Sequence, residues 1–133
     1  MKIEEQVLSR EQMAHLKELG VDTSDASMAY YNISRDNQPD KWILGIANKE
    51  VATVMLSNGI TEIEPTYTIG DLIEKLPKRN DEGSHFDINL SDKIISYVYT
   101  DIFVYYGEYN NLIYGLYNCL CWVAENHKEL IIT

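Results

Sequence analysis

The sequence predicts an α+β fold: a mostly antiparallel sheet of four or five strands packed against a long C-terminal helix, with two shorter helices at its flanks. Three observations predict it. Apolar residues recur at helical spacing in three segments, alternate with polar ones in others, and are separated by clusters of turn formers. The 133 residues hold no polar or Pro/Gly-rich linker long enough to separate a pair of cores, so 1–133 reads as one domain. At this length roughly two thirds of the unfolded surface is buried on folding, and neither disulfide nor metal is needed to hold the core.

The first helix spans about Arg10 to Leu19. Ser9 is its N-cap and Gln12, three residues on, completes a reciprocal capping box. Leu8 and Met13 take the staple positions, Met13, Leu16 and Leu19 form the apolar stripe, and Gly20 stands just past the end. Ser27 to Ser34 and Lys41 to Ala47 are rich in aromatic and β-branched residues and enclose Arg35-Asp36-Asn37-Gln38-Pro39-Asp40, which predicts a β-hairpin. From Asn48 to Pro65 two readings stand, because Val51 to Leu56 suits a strand or one helical turn before the Asn58-Gly59 break. Thr68 and Asp71 form a second capping box, and Ile69, Leu72, Ile73 and Leu76 define a short helix that Pro77 ends. Lys78 to Ser84 is a polar loop.

His85 to Leu90 alternates strictly, with Phe86, Ile88 and Leu90 on the core face. If Ser91-Asp92 forms a two-residue hairpin loop, Ile88 pairs with Ile95 and Phe86 with Tyr97, and Ile95, Tyr97 and Tyr99 face the core. A one-residue slip would bury Ile94 and Val98 instead. Ile102 to Tyr106 either continues this strand or folds back at Thr100-Asp101. The last helix begins at Asn110 or Asn111 and runs to about Glu125, with Leu112, Ile113, Leu116, Tyr117, Leu120 and Val123 on a broad apolar face that Cys119 and Trp122 widen. Gly115 inside it implies a close backbone approach, since Gly costs a helix up to about 1 kcal/mol relative to Ala. Leu130-Ile131-Ile132 suits a short edge strand.

Charge narrows the partners. Eleven Lys and Arg against 21 Asp and Glu give a net charge of −10, which repels nucleic-acid phosphates and anionic membrane surfaces, so no direct nucleic-acid or membrane binding is expected. Met1-Lys2-Ile3-Glu4-Glu5-Gln6 turns acidic at once and does not open as an export signal, and Leu112 to Ala124 is shorter than the ~20 residues a membrane span needs. A cytoplasmic location is expected. Cys119 and Cys121, two apart on a helix, point to nearly opposite sides and suit reduced thiols better than a disulfide or zinc pair.

None of His15, His85 and His127 stands at a metal-ligand spacing, and solvent-facing or helix-end positions account for them. Asp22-Thr23-Ser24-Asp25 lacks the ligand intervals and internal Gly of a calcium loop and reads as turn and cap. Lys75, Lys78 and Arg79 beside Asp81 and Glu82 read as a helix end and its loop. No Gly-rich phosphate loop, G-x-S-x-G, H-E-x-x-H or C-x-x-C occurs, and no metal or cofactor is expected. The distinctive feature is tyrosine, ten against two Phe, with Tyr97, Tyr99, Tyr105, Tyr106, Tyr109, Tyr114 and Tyr117 crowded into the last third. A Tyr hydroxyl must find water or a partner, so some rings should reach the surface, where they give large contact area at little entropic cost. Tyr99, Tyr105, Tyr106 and Tyr109 are the candidate protein-contact residues.

Three segments carry a resemblance: Ser9-Arg-Glu-Gln-Met-Ala-His-Leu-Lys-Glu-Leu-Gly20, Tyr67-Thr-Ile-Gly-Asp-Leu-Ile-Glu-Lys-Leu-Pro77 and Leu120-Cys-Trp-Val-Ala-Glu-Asn126. They resemble small uncharacterised proteins of prophages and other mobile elements. The matching motifs are helix caps and core residues, so the resemblance implies relatives and no chemistry. The expected function is a non-catalytic protein-binding or accessory role using a Tyr-rich surface, toward an unidentified protein or a second copy. Two alternatives stand beside it: an acidic decoy that imitates nucleic acid before a DNA-binding protein, and an enzyme whose site is assembled from distant residues.

Overall fold

Capping decides where the helices begin and end. In the structure, a computed structural model describing Lys2 and residues 5–77, 83–100 and 102–131 (of Phe103 the backbone alone), helix α1 is Arg10–Glu18. The Ser9 hydroxyl accepts from the Gln12 amide and the Gln12 side chain accepts from the Ser9 amide. At the other end the Gly20 N–H donates to the Lys17 carbonyl, and its φ of 88° turns the chain so that the Val21 N–H reaches the Leu16 carbonyl. The expected polar loop Lys78 to Ser84, the turn residue Asp101 and Ile132 of the expected tail strand lie wholly or partly outside the described residues.

The first hairpin forms as expected: β1 (Met28–Asn32) pairs antiparallel with β2 (Trp42–Ile46), Tyr30 opposite Leu44. The undecided stretch resolves into helix α2 (Lys49–Ser57) and strand β3 (Ile63–Thr66). The Asn48 side chain caps α2 by accepting from the Val51 amide at 2.8 Å, and Gly59, at φ 88°, closes it with the same end motif as α1. Strand β3 joins the other side of β1, giving the order β2-β1-β3.

Helix α3 (Ile69–Lys75) follows the Thr68/Asp71 capping box, whose Asp71 carboxylate also takes the Ser27 amide and hydroxyl. Strands β4 (His85–Asn89), β5 (Ile94–Tyr99) and β6 (Ile102–Glu108) then make a second antiparallel sheet, β4-β5-β6. Its register places Phe86 opposite Tyr97 and Ile88 opposite Ile95, and Tyr97 opposite Tyr105. The chain folds back after Thr100, whose φ of 52° accompanies an N–H bond to the Ser84 hydroxyl at 3.0 Å. A register shift between Tyr97 and Val98 inserts one extra residue, Val104, into β6.

Three expectations are corrected. The single sheet of four or five strands is instead two sheets of three. Strand β3 cannot extend its sheet further: Pro65 lacks a donor, and the N-terminal segment occupies the neighbouring edge through the Val7–Thr68 bridge and the Leu8 N–H to Tyr67 carbonyl bond. Leu90 leaves the core face and is 69% exposed, because the strand ends at Asn89 and a four-residue turn, with Lys93 at φ 55°, swings it out. The tail forms a short 3-10 turn at Lys128–Leu130 that tucks Ile131 into the core, where a strand was expected.

Helix α4 (Leu112–Asn126), N-capped by Asn111, buries Ile113, Gly115, Leu116, Cys119, Leu120, Val123 and Ala124. They pack with Leu8, Met13 and Leu16 from the N-terminal region, Tyr67, Leu72 and Leu76 around α3, and Ile95 and Tyr97 of β5. The first sheet is joined to this core through Thr66, which donates to the Leu8 carbonyl at 2.6 Å, and through the Arg10–Glu64 pair. Its Arg10 guanidinium also lies 3.8 Å over the Trp42 ring. Among the described residues no helix is long and apolar enough to cross a membrane.

Gly115 is the tight point. A Cβ there would stand 2.8 Å from the Tyr109 Cβ and 2.9 Å from the Ile95 Cδ1. Gly115→Ala should therefore lose about 1–3 kcal/mol to overpacking and recover only about 1 kcal/mol of helix propensity. The expected outcome is a lower thermal midpoint; an unchanged or raised one would mean that α4 can lift from β5 without cost.

Candidate functional site

Strand alternation sorts the tyrosines before any ligand is considered. Tyr105 and Tyr106 are neighbours on β6 and so point to opposite faces. Tyr105 turns to the helix side and lies 5.8 Å from Trp122, while Tyr106 faces away and is 62% exposed. Tyr99 is half-buried and stacks on His127 at 4.3 Å, and His127 in turn lies 5.5 Å from Trp122. Tyr109 is half-buried against Gly115. Tyr99 and Tyr105 thus share an aromatic cluster at the C-terminal end of α4, Tyr109 packs near the start of that helix, and Tyr106 alone of the four stands open. Burial pushes the Tyr105 hydroxyl up from its ordinary value, as it does Tyr97.

The face of β4-β5-β6 turned away from α4 is built in rows across the three strands. Asp87, Ser96 and Tyr106 make one row, and Asn89, Ile94 and Glu108 the next. Ser96, small and buried on the central strand, forms the floor of a trough of about 620 Å³, with Asp87 and Asn89 on one side, Tyr106 on the other and Leu90 at its end. Asp87 also meets the His85 imidazole, Nε2 to Oδ2 at 3.2 Å.

A second surface, with exposed apolar side chains, belongs to α2. None of its residues is buried, and Val54 and Leu56 lie exposed together with Ile43 and Ile46 of β2. Beneath the helix a mostly apolar hollow of about 330 Å³ runs over Ala29, Tyr31, Ile63 and Pro65. The Asn48 cap and the Asn58-Gly59 stop mark this helix in the sequence; its short length and the β-branched Val51, Thr53 and Val54 mask them.

His127 stands at the end of α4 as expected, whereas His85 is more covered than a solvent-facing position implies. His15 is half-exposed beside Glu18 on α1, but His85 and His127 are largely covered. His85 sits opposite Val98, next to the bulge, and Tyr99 and Trp122 lie against His127, whose backbone N–H donates to the Val123 carbonyl at the end of α4. Cys119 is fully buried and its thiol is pushed up to about 12 by burial; burial likewise raises Cys121, partly offset by the neighbouring Tyr117 hydroxyl. Neither thiol is poised as a thiolate. Among the described residues no group of three or more His, Cys, Asp and Glu is arranged to hold a metal ion.

Lys75 is the residue whose role the sequence hid. Expected at a solvated helix end, it is 2% exposed. Its Nζ donates to the Asp22 carbonyl at 2.8 Å and to Asp25 Oδ2 at 2.9 Å. The buried Tyr67 hydroxyl donates to the same carbonyl and to Asp25 Oδ1, each at 2.8 Å, and burial followed by Asp25 raises its pKa strongly. The turn Asp22–Asp25 is thereby tied to α3. Lys78 and Arg79 lie outside the described residues.

Comparison with protein-family models, curated proteins and solved structures finds no match to this chain.

Two measurements test these environments. Lys75→Ala should cost about 2 kcal/mol in urea unfolding, from lost packing and hydrogen bonds. That is less than the ~3–5 kcal/mol of a fully buried pair, because Asp25, 49% exposed, can return to water. An unchanged midpoint would remove Lys75 as a tie. At about pH 8 a thiol reagent should leave Cys119 unmodified in the native chain and label both cysteines in urea; rapid native labelling of Cys119 would contradict its burial.

Proposed function

We propose that this chain is a non-catalytic protein-binding or accessory protein of a mobile element, and that its contact surface is the outer face of β4-β5-β6. The observation that carries this reading is Tyr106, a large ring standing 62% exposed over a trough on the sheet face turned away from α4. Aromatic residues are enriched in protein interfaces because they bring contact area with few rotatable bonds to fix. Tyr99, Tyr105 and Tyr109 support the same face from behind by filling the space between sheet and helix.

The mobile-element element of the reading is supported by the three segments that resemble such proteins. The nucleic-acid decoy loses support, since Glu64, Asp25 and Asp71 are engaged by Arg10, by Lys75 and Tyr67, and by Ser27. These three carboxylates are paired within the molecule and so offer less free charge to a DNA-binding protein.

A photo-reactive residue placed at Tyr106, compared with one at the exposed Glu18 of α1, tests the reading in the producing cell. Position 106 should yield a discrete cross-linked species that position 18 does not. No product at 106, or the same products from both positions, would overturn it.

A further inference from the structure

We propose that the trough beside Tyr106 receives a basic, partly apolar polypeptide segment, with an Arg or Lys side chain laid on the Tyr106 ring and paired to the neighbouring carboxylates. This rests on the reading of that face as a protein contact, and adds the chemistry of the partner.

The charges on the face are unbalanced. Asp87 and Glu108 are both exposed on it, in adjacent rows on opposite sides of β5. His85 stands at one end, its Nε2 3.2 Å from the Asp87 carboxylate, and Lys93 at the other, where it shares a separate hollow with Asp92 and Glu108. Among the described residues no Lys or Arg lines the trough itself. The net charge of −10 adds a long-range field of the same sign, so cationic segments are drawn toward this face and acidic ones are repelled.

Shape agrees with charge. Asp87 and Tyr106 flank Ser96 across the central strand, which separates their backbones by two strand spacings, about 9–10 Å. That width admits one polypeptide segment between them. The open face of the Tyr106 ring attracts a guanidinium or ammonium. Leu90 and the half-buried Ile94 continue the trough toward the turn and offer apolar contact to the residues between the partner's cations.

The test uses two synthetic peptides of equal length, one of Arg and Leu spaced by Ser, the other with Glu replacing every Arg. Each is titrated into the intact chain and followed by backbone amide NMR at low and high salt. The Arg peptide should shift the amides of Asp87, Ser96 and Tyr106 and bind less tightly as salt rises; the Glu peptide should leave them in place. Tyr106→Ala should weaken binding about two- to fivefold and Tyr106→Phe should keep it, because the ring and not the hydroxyl carries the cation. Asp87→Asn should weaken binding and flatten its salt dependence. Equal binding of the two peptides, shifts confined to another surface, no binding at all, or full affinity in Asp87→Asn would each overturn the inference. The cross-link at position 106 reports contact whatever the partner's charge, so the protein-contact reading stands or falls separately.

Discussion

Helix α4 comes down on β5 at Gly115, closer than any side chain would permit, and the core is assembled on that contact. With no Cβ between them, Ile95 and Tyr109 reach the helix backbone, and Ile113, Leu116, Leu120 and Val123 can then meet β5, α3 and α1 together. A close-packed interior leaves no slack for a shifted helix, so the position of α4 fixes what each neighbouring strand presents. The second sheet offers α4 its Phe86, Ile88, Ile95, Tyr97 and Tyr105. Its other face follows by alternation.

That alternation links packing to the proposed contact surface. Tyr105 must fill the space against Trp122, so Tyr106 must point away, and nothing among the described residues folds over it. The exposed ring is thus a consequence of the core register. The bulge at Val104 allows Tyr105 to stay on the helix side while the strand end turns toward Thr100, where Tyr99 and His127 close the aromatic cluster.

The first sheet depends less on α4. It is held by polar ties: Arg10 to Glu64, Thr66 to the Leu8 carbonyl, Asp71 to Ser27, and Lys75 and Tyr67 to the Asp22–Asp25 turn. The Arg10 guanidinium holds Glu64 below its ordinary carboxylate range, so this tie is present above that range and is lost as protonation proceeds in acid. Because both side chains are more than a third exposed, solvent screening keeps its contribution small. The fully buried Lys75 is the stronger constraint, since an ammonium without its partners would be costly to bury.

The sequence by itself determined what local chemistry determines. Ser9 with Gln12, Thr68 with Asp71, the Gly20 stop and the apolar stripe of α4 each act within a few residues, and each was legible. The pairing of Phe86 with Tyr97 and Ile88 with Ile95 was legible as one of two registers, because turn length and alternation agree on it. Tertiary structure alone decided what depends on residues far apart in the chain. Pro65 and the N-terminal segment together close β3 and split one expected sheet into two. Asp22 and Asp25, some fifty residues before Lys75, turn a helix-end lysine into a buried tie. Which tyrosines stay exposed is likewise set by where α4 lies, because a strand's pattern says that its two faces differ but not which one a distant helix will cover.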